Sequence, residues 1–246
     1  MTDPRISVID VRLKKIRRII AVSSSKGGVG KTLVATTLAL ALSTRGYKVG
    51  LFDLDFTSPC THILLATKNV LPTEEKGLIP PIVQGLEYMS LIYYSGNQAV
   101  PLRGAETSNA LIELLAVTIW GELDYLVMDM PPGLGDAVFD LIRLIPRIEF
   151  LIVTTSSQLA FESVKKQLSL LQELKVPIIG IIENMKITGS KNMQRQTQAL
   201  GLKFLAEIPY DLTIESAIGD PEKLQKTLLA QKVQTVAQTI RPNFTT

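Results

Sequence analysis

The stretch Ser23–Thr32, SSSKGGVGKT, decides how the rest of the chain is read. Gly30, Lys31 and Thr32 close the pattern G-x-x-x-x-G-K-[ST] of a phosphate-binding loop, with Ser25 standing where the leading glycine is usual. Gly27, Gly28 and Gly30, with Val29 among them, let successive backbone N–H groups curl around one anion without a Cβ in the way. In such a loop Lys31 reaches the β- and γ-phosphates, and the Thr32 hydroxyl ligates Mg²⁺. A helix opening at Thr32 would point its N-terminal dipole at the same anion. One residue is surplus. A phosphate loop needs a single lysine, and this one also carries Lys26.

Outward from the loop, short apolar runs rich in Val and Ile alternate with longer helical patterns. RRIIAVSS (17–24) precedes the loop and KVGLFDLD (48–55) follows it. LEYMSLIYY (86–94), LDYLVMDMP (123–131), EFLIVTTSS (149–157), VPIIGIIEN (176–184) and LKFLAEIP (202–209) complete the set. Continuous apolarity means burial on both faces, as in a parallel sheet covered by helices. Helical spacing runs from Thr32 to Arg45, ending at Gly46. It runs again from Leu159 to Leu174, with Val164, Leu168, Leu170 and Leu171 on one stripe. The alternation predicts a doubly wound α/β fold, a mostly parallel sheet flanked by helices, in a single domain over 1–246. The stretch 57–85, dense in Pro, Gly, Thr and charge, is the expected irregular region.

The totals agree with a globular enzyme: 246 residues, 46% hydrophobic and 20% charged, with a net charge of +3 that does not by itself call for nucleic acid. A lone cysteine, Cys60, forbids an internal disulfide and suits a reducing compartment. No signal-peptide pattern and no uninterrupted apolar run of about 18 residues is present, so a cytoplasmic protein is expected.

Two further strands end in acid. DLD places Asp53 and Asp55 at the end of 48–55, and YLVMD ends in Asp129 as a Walker B strand does. Carboxylates and a hydroxyl suit Mg²⁺, a hard cation that keeps its waters.

The surplus lysine carries a resemblance. KGGVGKT is similar to the deviant phosphate loop of the MinD/ParA/Mrp ATPases, and DMPPGLGD (129–136) resembles the switch II signature of the Mrp branch. The resemblance implies an ATPase that dimerises around ATP. Lys26 would reach into the partner's nucleotide, as arginine fingers do elsewhere, and Asp55 would orient the attacking water. It also implies that Asn184, in IIENM, reads adenine, and that the IPYD loop closes over the base with Pro209, Tyr210 and Asp211.

The client is where the pattern departs. Mrp-type iron–sulfur proteins carry C-x-x-C just after the ENM element, and here that segment reads ENMKITGSKNMQ, with no cysteine. Stretches 74–104 and 111–136 instead resemble the archaeal Mrp-type hydrogenase-maturation ATPases (HypB), which work with a nickel metallochaperone. The expectation is therefore nickel–iron hydrogenase maturation, with a metallochaperone or metalloenzyme precursor as partner; iron–sulfur carriage is the alternative. Cys60 and His62 are the one soft-ligand pair for nickel. Nucleic acid is not expected, because RLKKIRR (12–18) reads as a solvated approach to the first strand. Membrane insertion is not expected, because the last helical stripe suits core packing.

Overall fold

A computed structural model describes residues 3–68, 70–95, 104–187 and 193–241. The expected stretch 74–104 thus lies partly outside the described residues, as do the segment after the ENM element at 188–192 and most of the RPNFTT tail.

Seven parallel strands form the sheet: β1 (Ile16–Ser23), β2 (Val49–Asp53), β3 (Leu86–Ser90), β4 (Leu123–Asp129), β5 (Ile148–Thr155), β6 (Ile178–Lys186) and β7 (Phe204–Pro209). Their order is β7-β6-β5-β1-β4-β2-β3, and the short strand Ile82–Val83 pairs antiparallel at the β3 edge. The chain reverses direction of winding at β1, which lies between β5 and β4. In open α/β sheets the crevice at the carboxyl ends of such strands is where ligands sit.

Alternate residues of β1 and β4 enter two different cores, which explains their unbroken apolarity. Ile19, Ala21, Leu126 and Met128 face the helices Arg5–Leu13 and Gln158–Glu173, packing with Ile9, Phe161 and Leu168. Ile20, Val22, Tyr125 and Val127 face the opposite way, with Leu38, Leu42 and Val233 of the helices Lys31–Thr44 and Leu228–Thr239. Each such leucine withdrawn from water contributes about 1.5–3 kcal/mol. The helix Lys31–Thr44 ends as its sequence implies. Gly46 takes φ +86°, and its N–H donates to Ser43 O at 2.9 Å.

The structure corrects four expectations. The third strand stops at Ser90, whose Oγ accepts the Ile92 N–H and opens the short helix Ile92–Ser95. The run RLKKIRR starts inside a helix, because Arg12 and Leu13 close Arg5–Leu13, which buries Ile9 and Leu13, and it enters β1 at Ile16. Gln167, not Leu170, holds the buried position between Val164 and Leu168, where it donates to Ser23 Oγ at 2.8 Å. The region 57–85 contains a helical turn, Thr61–Leu64, and a small hairpin of Thr73–Glu74 with Leu78–Ile79. Among the described residues no helix is long and apolar enough to cross a membrane.

Candidate nucleotide site

The phosphate loop leaves the end of β1 and enters the helix Lys31–Thr44 directly. Gly30 has φ +81°, and a Cβ there would collide with the Asn184 amide. Gly27 and Gly28 are different, since a Cβ on either would meet nothing within 4 Å. The loop is therefore packed at its helix end and open at its crown, as an anion cradle requires. The Gly133 N–H donates to Ser24 O at 2.8 Å, which ties the DMPPGLGD segment to the loop's first residues.

Lys31, Asp129 and Asp55 converge. Lys31 Nζ lies 2.6 Å from Asp129 Oδ1 and 3.8 Å from Asp55 Oδ2, and Thr32 Oγ1 lies 3.4 Å from the same ammonium. Burial pushes the Asp129 carboxyl above the ordinary carboxylate range, while the Lys31 ammonium pulls it back. Asp129 Oδ2 is buried without a hydrogen-bond partner. A buried lone acceptor of that kind is costly unless something fills its shell. With the Thr32 hydroxyl and Asp55 it forms an all-oxygen donor set suited to Mg²⁺.

Asp53 has a different place. It is buried beneath the loop that follows β2, and burial first, then the charge of Asp129, push its carboxyl upward. Asp55 Oδ1 accepts from Thr57 Oγ1 at 2.8 Å and from the Ser58 N–H at 3.3 Å, leaving Oδ2 toward Lys31.

Lys26 is exposed at the rim of a cleft of about 370 Å³; its carbonyl accepts from Ser24 Oγ at 2.9 Å, and its ammonium has no partner among the described residues. Asn184 is buried with one amide hydrogen committed to Val29 O at 2.9 Å, so it braces the phosphate loop and keeps only part of its capacity for a base. Residues 209–211 do not line the cleft; Ile214, Glu215 and Ile218 do. The physical reason lies in Asp211, whose carboxylate accepts from Thr213 N, Thr213 Oγ1 and Leu228 N and so forms a turn and a helix start. Tyr210 is exposed and Pro209 ends β7.

Cys60 and His62 stand together on the wall of a neighbouring cavity, but no group of three or more potential metal ligands exists among the described residues. Burial raises the Cys60 thiol and lowers the His62 imidazole, which opposes thiolate formation. The basic run is largely spent internally. Arg12 donates to Ala116 O, Lys15 pairs with Glu122, Arg17 with Asp124 and Arg18 with Glu149. Sequence reasoning missed Thr61, which bonds Asp53 from below, and Tyr88, which bonds Thr61, because nothing local marks them.

A profile of the NUBPL iron-transfer P-loop NTPases, a branch of the ParA group, matches residues 15–243. The chain belongs to that family. It is similar to the iron–sulfur cluster carrier protein of Aquifex aeolicus, 38% identical over 84% of this chain and 62% of that one. The carrier protein of Methanocaldococcus jannaschii is 37% identical over 83% of this chain and 77% of its own length. The chloroplastic iron–sulfur assembly factor HCF101 of rice is 38% identical, and this chain spans 41% of it. Among solved structures, a nucleotide-binding protein of Archaeoglobus fulgidus in complex with ADP has a TM-score of 0.74 and 28% identity, covering 98% of this chain and 96% of that one. The MinD cell-division ATPase of Pyrococcus furiosus, at 22% identity and a TM-score of 0.68, shares the fold over 90% of this chain and 97% of that one.

These relatives overturn the expectation of nickel–iron hydrogenase maturation. The family is one of iron transfer, and the relatives across most of the chain are named as iron–sulfur carriers.

Proposed function

We propose that the 246 residues act as one Mg²⁺-dependent ATPase unit, working as an ATP-bound homodimer in iron–sulfur cluster assembly. The observation that carries this reading is the family match over residues 15–243. The buried lysine between two carboxylates supports the chemistry.

When ATP enters, phosphate oxygens replace Asp129 as the partner of Lys31 Nζ, and the glycine amides at 27, 28 and 30 close around the phosphate chain. Mg²⁺, held by Thr32 and Asp129 with Asp55 nearby, would neutralise phosphate charge. Asp55 orients the attacking water through the oxygen that faces Lys31. Lys26 of a second subunit, free at the cleft rim, stabilises the charge that grows on the transferred phosphoryl group. Asn184 offers its carbonyl oxygen to adenine. Hydrolysis then reopens the dimer and changes the surface seen by a partner.

The cluster is cargo in this scheme. Cys60 is the one cysteine of the chain, so a C-x-x-C pair on each subunit cannot supply the ligands. Client or scaffold proteins would supply most of them. The test is a pull-down from native extract with Asp55→Ala loaded with ATP, which should hold the closed dimer. Recovery of iron–sulfur apoproteins or scaffolds is expected; a preparation that retains ATP yet recovers none of them overturns the cargo assignment.

A further inference from the structure

Asp53, Thr61 and Tyr88 form a buried chain of polar groups beneath the loop that presents Asp55. Thr61 Oγ1 donates to Asp53 Oδ2 at 2.6 Å, and Tyr88 OH lies 2.8 Å from the same Thr61 oxygen. A threonine hydroxyl has one proton. Given to the carboxylate, it leaves Thr61 an acceptor, so Tyr88 is the donor in the second bond. The carboxylate also takes the backbone at both ends of the loop. The Asp55 N–H donates to Oδ1 at 3.1 Å, and the Thr61 N–H donates to Oδ2 at 3.3 Å. One side chain thus closes the loop 54–60.

The anchor is rigid. Asp53 ends β2 in register with Asp129 of β4 on one side and Ser90 of β3 on the other, and Tyr88 belongs to β3. The outer part of the loop is exposed at Thr57, Ser58 and Cys60. Between its ends lie Thr57, Ser58, Pro59 and Cys60, which form the wall of the neighbouring cavity. Cys60 lines both that cavity and the nucleotide cleft. Where Asp55 points therefore depends on how firmly Thr61 is held.

We propose that Thr61 and Tyr88 are positioning residues for ATP hydrolysis, acting through Asp53 to hold the loop that aims Asp55 into the cleft. The proposal rests on the ATPase reading above. It adds that the hydroxyl of Thr61 is needed for turnover and not for holding nucleotide, since neither residue reaches the phosphate loop.

The experiment compares wild type, Thr61→Val, Thr61→Ser, Tyr88→Phe and Lys31→Ala. It measures kcat, KM and the affinity for a fluorescent ATP analogue. It also follows the labelling rate of Cys60, which as the lone cysteine reports this loop without further engineering. Thr61→Val should lower kcat about 10- to 100-fold while analogue affinity stays within about threefold, as expected for a misplaced catalytic group. Thr61→Ser, which keeps the hydroxyl, should restore kcat. Tyr88→Phe should fall between, and in both Thr61→Val and Tyr88→Phe Cys60 should label faster than in wild type. Normal kcat in Thr61→Val, or a loss that serine does not rescue, overturns the proposal. Should Thr61→Val fail to fold, Tyr88→Phe decides by the same split of kcat from affinity. If wild type itself neither binds nor hydrolyses ATP, indistinguishable from Lys31→Ala, the ATPase reading falls, and the positioning proposal with it.

Discussion

The two ends of the central strands treat charge in opposite ways. At the carboxyl ends of β1 and β4, the Lys31 side chain is 6% exposed and that of Asp129 is fully buried, 2.6 Å apart. At the opposite ends of the same strands, Lys15 pairs with Glu122 at 3.1 Å, yet both side chains are about two-thirds exposed. Distance is similar; surroundings differ. In water an ion pair at this range nets little, whereas a desolvated pair is costly to assemble and more costly to break. A fold has no structural need for a lysine wedged among acids at the mouth of a crevice, so the upper cluster marks function and the lower one solvation.

The largest effect should come from the upper end. Lys31→Ala should lower ATP affinity by two orders of magnitude or more, since it removes charge-assisted bonds of about 1.5–3 kcal/mol each. Calorimetric titration decides it, and retained affinity would dissolve the contrast. The same variant leaves Asp129 buried and unpaired, with its carboxyl held above the ordinary value of 3.8 by burial. A carboxyl raised in the folded state is penalised in full above its folded value, and the penalty fades as pH falls from there toward the unfolded value. The stability deficit of Lys31→Ala against wild type, followed by urea titration from about pH 7 to about pH 4, should therefore shrink with acid. A deficit that grew with acid would place the burial cost elsewhere.

Lys26→Ala comes next. It should bind ATP normally and lose turnover by about 100-fold or more, if its ammonium serves the partner's phosphates as arginine fingers do. Unchanged turnover would return Lys26 to the class of solvated lysines.

Arg18 sharpens the contrast from the other end. It lies toward the foot of β1, yet it is 9% exposed and bonds Glu149 in a fork, with Arg241 O as a further acceptor. Arg18→Ala should cost about 2–4 kcal/mol in chemical denaturation because it strands Glu149. Arg17→Ala, one residue away on the solvent side, should cost under about 1 kcal/mol. Equal losses in the two variants would mean that burial is not the deciding variable.

What could be read beforehand follows from how local the signal is. The phosphate loop, its helix, the strand end at Asp129 and the acids at the end of β2 and just past it, Asp53 and Asp55, are written in contiguous residues, so composition and spacing sufficed. Thr61 and Tyr88 were invisible because their tie is tertiary. Thr61 lies eight positions from Asp53, and Tyr88 another 27 beyond. The helix Arg5–Leu13 was hidden by its mixed charges, and Gln167 by being polar in an apolar stripe. The three donors on the Asp211 carboxylate, Thr213 N, Thr213 Oγ1 and Leu228 N, are equally invisible in the IPYD pattern. The client was misread for another reason. The missing cysteine pair and a resemblance in 74–104, outside the nucleotide motifs, point together away from iron–sulfur carriage, whereas relatives across most of the chain are named as iron–sulfur carriers.

Gly30 has a consequence for large-scale mutagenesis. Its missing Cβ is what admits the Asn184 amide, whereas Gly27 faces open space with an unstrained backbone. In a screen that scores cellular abundance, substitutions at 30 should deplete even where nucleotide is irrelevant, and Gly27→Ala should pass unnoticed. Under selection for activity the two columns should converge. The same loop would thus carry two kinds of intolerance, one enforced by the folding machinery and one by the phenotype.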